Sequence, residues 1–258
     1  MPKMGFTLGS NSGFNGMHIE STSFRLARRY PRIVAFTLIE MLVVIGVIAI
    51  FIGTIGLSIG GGNKGVAMQN AQGTLLSSLS GARAKAALYQ TTAAIFVNAS
   101  PDGSGFMHEL RIAILVDHDN NPTTPSVWVA KGDVIAFSDG IYLVPPASAF
   151  PPTIITYESP TVSDWTKAHS TAYDSSEVEL YAADGTTRID SMKYNRLIRL
   201  TERGTTSDAG SLILAPARVV PGATGLGLVF DEVQALRGAR VSVYGVATLV
   251  EGLESFSN

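Results

Sequence analysis

Ala35-Phe36-Thr37-Leu38-Ile39-Glu40-Met41-Leu42-Val43-Val44-Ile45 opens the stretch that organises this chain, residues 35–59, AFTLIEMLVVIGVIAIFIGTIGLSI. Between Phe36 and Ile59 there is no Lys, Arg, Asp or His, and the one ionisable group is Glu40. At about 1.5 Å rise per residue such a run spans roughly 36 Å as a helix, enough to cross a bilayer core. Arg25, Arg28, Arg29 and Arg32 stand just ahead of it, and no comparable basic cluster follows. The positive-inside tendency then predicts a single-pass membrane protein with a cytoplasmic N-terminus and an external remainder. Glu40 is the odd residue, because an apolar side chain would insert better than a carboxylate.

Outward from that stretch, composition narrows the function classes. The chain has 258 residues, 46% hydrophobic and 16% charged, which suits one anchoring segment and one globular domain. Residues 1–35 hold five basic groups against Glu20, leaving residues 36–258 with 14 basic and 20 acidic side chains, a net of −6. An acidic body argues against nucleic-acid binding, since phosphate contacts need basic clusters. No cysteine is present, which removes disulfides, thiolate nucleophiles and cysteine-ligated metals. Residues 1–24 are rich in Gly, Ser, Asn and Thr without apolar periodicity and read as an unstructured leader, with Met4 and Met17 as alternative starts. The apolar run exceeds a usual signal h-region and no A-x-A-like site closes it, so a retained anchor is expected.

The residues Phe36-Thr37-Leu38-Ile39-Glu40, with the apolar run behind them, closely resemble the processing and methylation motif of type IV pilins and type II secretion pseudopilins. The resemblance implies cleavage between Ala35 and Phe36 by a prepilin peptidase, N-methylation of Phe36, and a role in assembly and register for Glu40, with Thr37 beside it. It also implies other pilin or pseudopilin subunits and an inner-membrane assembly platform as partners, and no cofactor. In that family the subunit is anchored in the inner membrane, its domain hangs in the periplasm or on an extracellular filament, and it is not an enzyme. Two departures stand out: the family has Gly where this chain has Ala35, and its leaders are shorter. A physical role for Glu40 agrees with the resemblance, because its carboxylate can pair in low dielectric with the freed Phe36 amine of a neighbouring subunit. The alternative is a signal-anchored periplasmic binding module or enzyme with an uncleaved N-terminus. Pseudopilus against type IV or competence pilus stays open, as does major against minor subunit, with a lean to the minor pseudopilins.

Gly60-Gly61-Gly62-Asn63 interrupts the run and predicts a joint, because three interior glycines cost about 3 kcal/mol relative to Ala. Helical spacing resumes from Lys64 to about Tyr89, with Ala67, Ala71, Leu75, Leu79, Ala82 and Ala86 in one stripe. Gln69, Asn70, Gln72, Ser80, Arg83 and Lys85 are expected mostly off that stripe. After Gln90 period-two patterning predicts strands at 92–98, 110–117, 127–130, 134–137, 141–144, 177–181, 196–201, 211–215 and one long strand at 240–250. Pro145-Pro146 and Pro151-Pro152 mark an irregular crossing, and the polar stretch to Ser176 reads as an exposed loop. The expected organisation is a leader at 1–35, a transmembrane helix at 36–59, a glycine joint and amphipathic helix at 60–91, and a β-rich domain at 92–258. The expected fold class is α+β, one long N-terminal helix packed on an antiparallel sheet.

Outside the motif, chemistry is sparse. Asp117, Asp119 and Asn121 have the D-x-D-x-N spacing of a calcium loop, yet Pro122 stands where Gly is needed and the closing acidic residue is missing. A solvated turn is expected there, and no metal. The four histidines form no H-x-x-x-H or H-E-x-x-H pattern, and G-x-S-x-G and P-loop patterns are absent. Trp128 and Trp165 read as packing residues rather than a ligand platform.

Overall fold

The computed structural model describes residues 37–117, 125–158, 165, 168–222, 225–230 and 232–256, the side chains of 49–63 excepted. It divides into two compact units, Met1–Phe51 and Ile52–Asn258. Helix α1 is assigned over Leu38–Tyr89, and its described side chains fall in two short pieces, 38–48 in the first unit and 64–89 in the second. The glycine joint lies outside the residues with described side chains.

The strands are β1 (Ala93–Asn98), β2 (Glu109–Val116), β3 (Val127–Ala130), β4 (Ile135–Ala136), β5 (Ile141–Leu143), β6 (Ile155–Tyr157), β7 (Asp174–Val178), β8 (Tyr194–Leu200), β9 (Gly210–Pro216), β10 (Arg218–Gly222), β11 (Gly225–Phe230), β12 (Arg237–Val241) and β13 (Ala247–Glu251). They form a six-stranded sheet ordered β3-β2-β1-β8-β7, with β4 also on β2, a three-stranded sheet β10-β11-β6, and a four-stranded sheet β13-β12-β9-β5. All pairings are antiparallel except β11 with β6.

These findings correct the expected α+β class with its long N-terminal helix and single antiparallel sheet: among the described residues the chain is mostly β-sheet, in three sheets, with helix in two short described pieces. They also correct the transmembrane and inner-membrane placement, because no helix among the described residues is long and apolar enough to cross a membrane. The piece 64–89 carries Lys64, Arg83 and Lys85 and spends its apolar stripe on protein. The single-pass arrangement, with a cytoplasmic N-terminus and an external domain, falls with the span.

That stripe is buried from Ala71 onward: Ala71, Leu75, Leu79, Ala82 and Ala86 join the main core, Ala67 is half-buried against it, and Met68, not expected in the stripe, is buried with them. Its small residues allow close approach, and a Cβ on Gly81 would stand 3.3 Å from Ile112 Cδ1. The facing sheet presents three cross-strand rows: Ala93 with Ile114 and Leu200, Ile95 with Ile112 and Ile198, and Val97 with Leu110. On the opposite sheet face Ala94, Phe96, Ala113, Leu180 and Tyr194 make a second cluster. β1 is therefore buried on both faces and paired on both edges.

Gln72 departs from expectation. It is buried, and its Nε2 donates to the carbonyls of Gly238 (2.9 Å) and Val250 (3.3 Å), fastening the helix to β12 and β13. The stretch expected as one strand at 240–250 is a hairpin: Gly245 N donates to Ser242 O, and Gly245 takes a φ of +66° that favours glycine. The polar stretch after Pro152 is not wholly an exposed loop, since it contains β6 and the buried Trp165, Ala168, Ser170 and Ala172.

Replacing Gln72 by Leu keeps the volume and removes two hydrogen bonds, so the urea midpoint should fall by the equivalent of about 1–2 kcal/mol with the m-value unchanged. The exposed Gln69→Leu variant should stay within about 0.5 kcal/mol of the parent chain.

Candidate functional site

The N-terminal motif is built on a helix start. Thr37 precedes the first helical residue, Leu38, and Glu40 is the third. Thr37 Oγ1 accepts from the Glu40 N–H at 3.2 Å, and Glu40 Oε2 accepts from the Thr37 N–H and hydroxyl, each at 3.4 Å. This is a capping box, in which two otherwise orphaned N–H donors at the helix start are satisfied reciprocally. The carboxylate also stands where the positive end of the helix dipole favours it.

Behind the box, every described side chain from Leu38 to Ile48 is exposed, Leu38 at 84% and Ile39 at 72%. A helix that is apolar on all sides and covered on none has no stable home in water by itself. Ala35 and Phe36, the expected cleavage and methylation positions, lie outside the described residues.

Asp117, just past β2, is exposed, while Asp119 and Asn121 lie outside the described residues. No group of three or more His, Asp or Glu residues among those described is arranged to hold a metal ion. His108 turns its Nδ1 to Ile141 O at 3.0 Å and lies against the rings of Phe137 and Tyr142. Trp128 meets Phe96 edge-on, 5.1 Å between ring centres, and Trp165 packs with Tyr157 and Phe230 while donating to Glu158 O. Both tryptophans pack as expected.

A groove of about 460 Å³ is lined by Lys64, Asp139, Ile141, Pro216, Arg218 and Glu232. Three of its charges are paired: Lys64 with Glu232, and Arg218 with Glu158 at 3.2 Å.

Sequence reasoning missed two charge clusters on the outer face of the six-stranded sheet. In one, Arg111 Nε donates to Tyr194 Oη (3.0 Å), which donates to Asp190 Oδ2 (2.6 Å). Burial, then the hydrogen bond to Asp190, pushes the Tyr194 hydroxyl up to about 12. In the other, Asp174 pairs with Arg196, and Asp208 receives Arg199 through both Nε and Nη2 at 3.1 and 3.2 Å. Burial works against the charge of Asp174, but the Ser176 N–H and hydroxyl and the guanidinium groups of Arg196 and Arg199 outweigh it and hold its carboxyl below the usual range. Burial of Asp208 is likewise outweighed, by Arg199 and the Ser207 hydroxyl. Arg111 stands 83 residues from Tyr194 and Asp174 22 from Arg196, so no local pattern announces those contacts. They hold strands and loops together.

No protein-family model, no curated protein and no solved structure matches this chain.

Because the Asp174 and Asp208 carboxyls have lowered values in the folded state, the unfolded chain takes up their protons first as pH falls. The stability they contribute is complete above about pH 4, the unfolded value, and disappears as pH drops through their lower folded values. Asp208→Asn should therefore flatten the acid side of a plot of urea midpoint against pH, and a slope identical to the parent's would refute the assignment.

Proposed function

We propose that this chain is a structural, pilin-like subunit, cut between Ala35 and Phe36 by a prepilin peptidase, methylated at Phe36, and assembled with other such subunits into a pseudopilus or pilus-like filament. The observation that carries this reading is the pairing of the F-T-L-I-E motif with a helix start whose following apolar side chains are exposed on every side. Side-by-side packing of these helices from several subunits would remove that surface from water, at about 25 cal/mol per Å² of apolar area. In such a bundle the carboxylate of Glu40 pairs with the Phe36 amine of its neighbour and fixes the axial register. The subunit performs no chemistry, and its β sheets are what the filament displays.

The capping box supplies a discriminating substitution. Gln serves at the third helical position of a capping box as Glu does, so Glu40→Gln keeps the helix start and removes only the charge. Under this proposal Glu40→Gln and Glu40→Leu both prevent incorporation into filaments. Normal incorporation of Glu40→Gln would reduce Glu40 to a cap. Mass spectrometry of the chain from its native host should find N-methylated Phe36 at the N-terminus; a chain beginning at unmodified Met1, Met4 or Met17 would favour a binding module or enzyme.

A further inference from the structure

We propose that β13 is a pairing edge through which two copies of this chain associate about a two-fold axis at Leu249. Sheet edges offer unpaired N–H and C=O groups, and proteins blunt them with short strands, prolines, bulges or charge. Among the described residues the other edges carry such devices. β4, β5 and β6 have only two or three residues. β10 contains Pro221. β7 has a register shift between Asp174 and Glu177, both of them ion-paired. β3 is bridged at Val129 by Tyr181. β13, Ala-Thr-Leu-Val-Glu, has no proline, no lysine and an unbroken register with β12.

The hydrogen bonds fix which groups face outward. Ser242 N donates to Val246 O and Gly252 N to Leu236 O, bracketing the ladder, so the even-numbered residues of β13 face β12. Ala247, Leu249 and Glu251 then point their N–H and C=O away from the sheet. Glu251 O accepts from Ser255 Oγ, and the outward groups of Ala247 and Leu249 have no partner among the described residues.

One antiparallel register of a second β13 pairs all three outward-facing residues of the strand. With Leu249 on the axis, Leu249 meets Leu249 and Ala247 meets Glu251, so every outward-facing residue meets another. Charge permits this register. Glu251, the one charged residue of the strand, is paired with Arg237 of its own chain at 3.3 Å, and here it faces Ala247, with the two Glu251 residues about 14 Å apart at about 3.4 Å per residue, beyond a Debye length of about 8 Å. A register centred on Glu251 sets like charges opposite, and one centred on Ala247 runs into the turn at 242–246. Leu249 is 56% exposed, and Val243, Tyr244 and Val246 are exposed around the same hairpin. A single strand pair buries less than the roughly 1,200 Å² of a stable interface, so the association is weak. It does not depend on the filament reading, since it uses neither Glu40 nor the N-terminal helix.

The absence of cysteine makes the test direct. The full chain, in mild detergent to cover its exposed helix, is given single cysteines and oxidised. A hydrogen-bonded antiparallel pair sets Cα atoms about 5.5 Å apart, within disulfide reach. Leu249→Cys should form covalent dimers at least about tenfold faster than Val219→Cys, a similarly exposed position on the proline-blunted β10. A mixture of Ala247→Cys and Glu251→Cys should yield the heterodimer, while each alone lags. Adding Glu40→Leu should leave the Leu249→Cys rate unchanged. Equal rates at 249 and 219, no heterodimer from the mixture, or loss of the cross-link with Glu40→Leu would overturn the proposal.

Discussion

The double burial of β1 constrains the rest of the larger unit. A strand that is paired on both edges and covered on both faces needs two different covers. On one face the cover is the helix piece 64–89, and it sits close because the contact residues are small, Ala71, Ala82 and Ala86 among them. On the other face Phe96 needs a roof, and Trp128, Leu180 and Tyr194 supply it. Arg111 and Arg196 flank Phe96 on the neighbouring strands. Their charges are then half-shielded from water, and Asp190 and Asp174 answer them. The charge clusters are thus a consequence of burying an aromatic on the outer face of a central strand, and they need no catalytic purpose.

Much of this was readable locally. The alanine stripe has helical spacing, and strands such as β1, β2 and β9 announce themselves by β-branched and aliphatic runs bounded by turn residues. Reading failed where the pattern is silent or ambiguous. β10 and β11 are rich in Gly and Pro and were not expected as strands. Residues 240–250 are β-prone almost throughout, so only the conformation at Gly245 separates a hairpin from one long strand. The parallel pairing of β6 with β11 joins Ile155 to Leu228, a contact with no local signature. Fold class failed for a related reason: an uninterrupted apolar run suggests one dominant helix, and sequence cannot weigh that against three sheets assembled by distant pairings. Gln72 looked like a solvent-facing residue because its partners are backbone carbonyls from the far end of the chain.

The candidate site divides the same way. Thr37 and Glu40 stand three residues apart, and such spacing is legible both as a family-like motif and as a capping box. What the sequence does not supply is how firmly the box holds its carboxylate. Glu40 Oε2 lies 3.4 Å from both of its donors, longer than the 2.7–3.2 Å of a good N–H···O bond and far from the geometry of a charge-assisted one. A carboxylate held this loosely loses little on leaving its own helix start. In the proposed assembly an ammonium group from a neighbouring chain, in surroundings from which packed helices exclude water, would offer a shorter and stronger contact. The two roles of Glu40 therefore do not compete on equal terms. The cap orders the helix start of the lone chain; in the assembly proposed above the stronger partner would take the same carboxylate, with Thr37 Oγ1 still accepting from the Glu40 N–H.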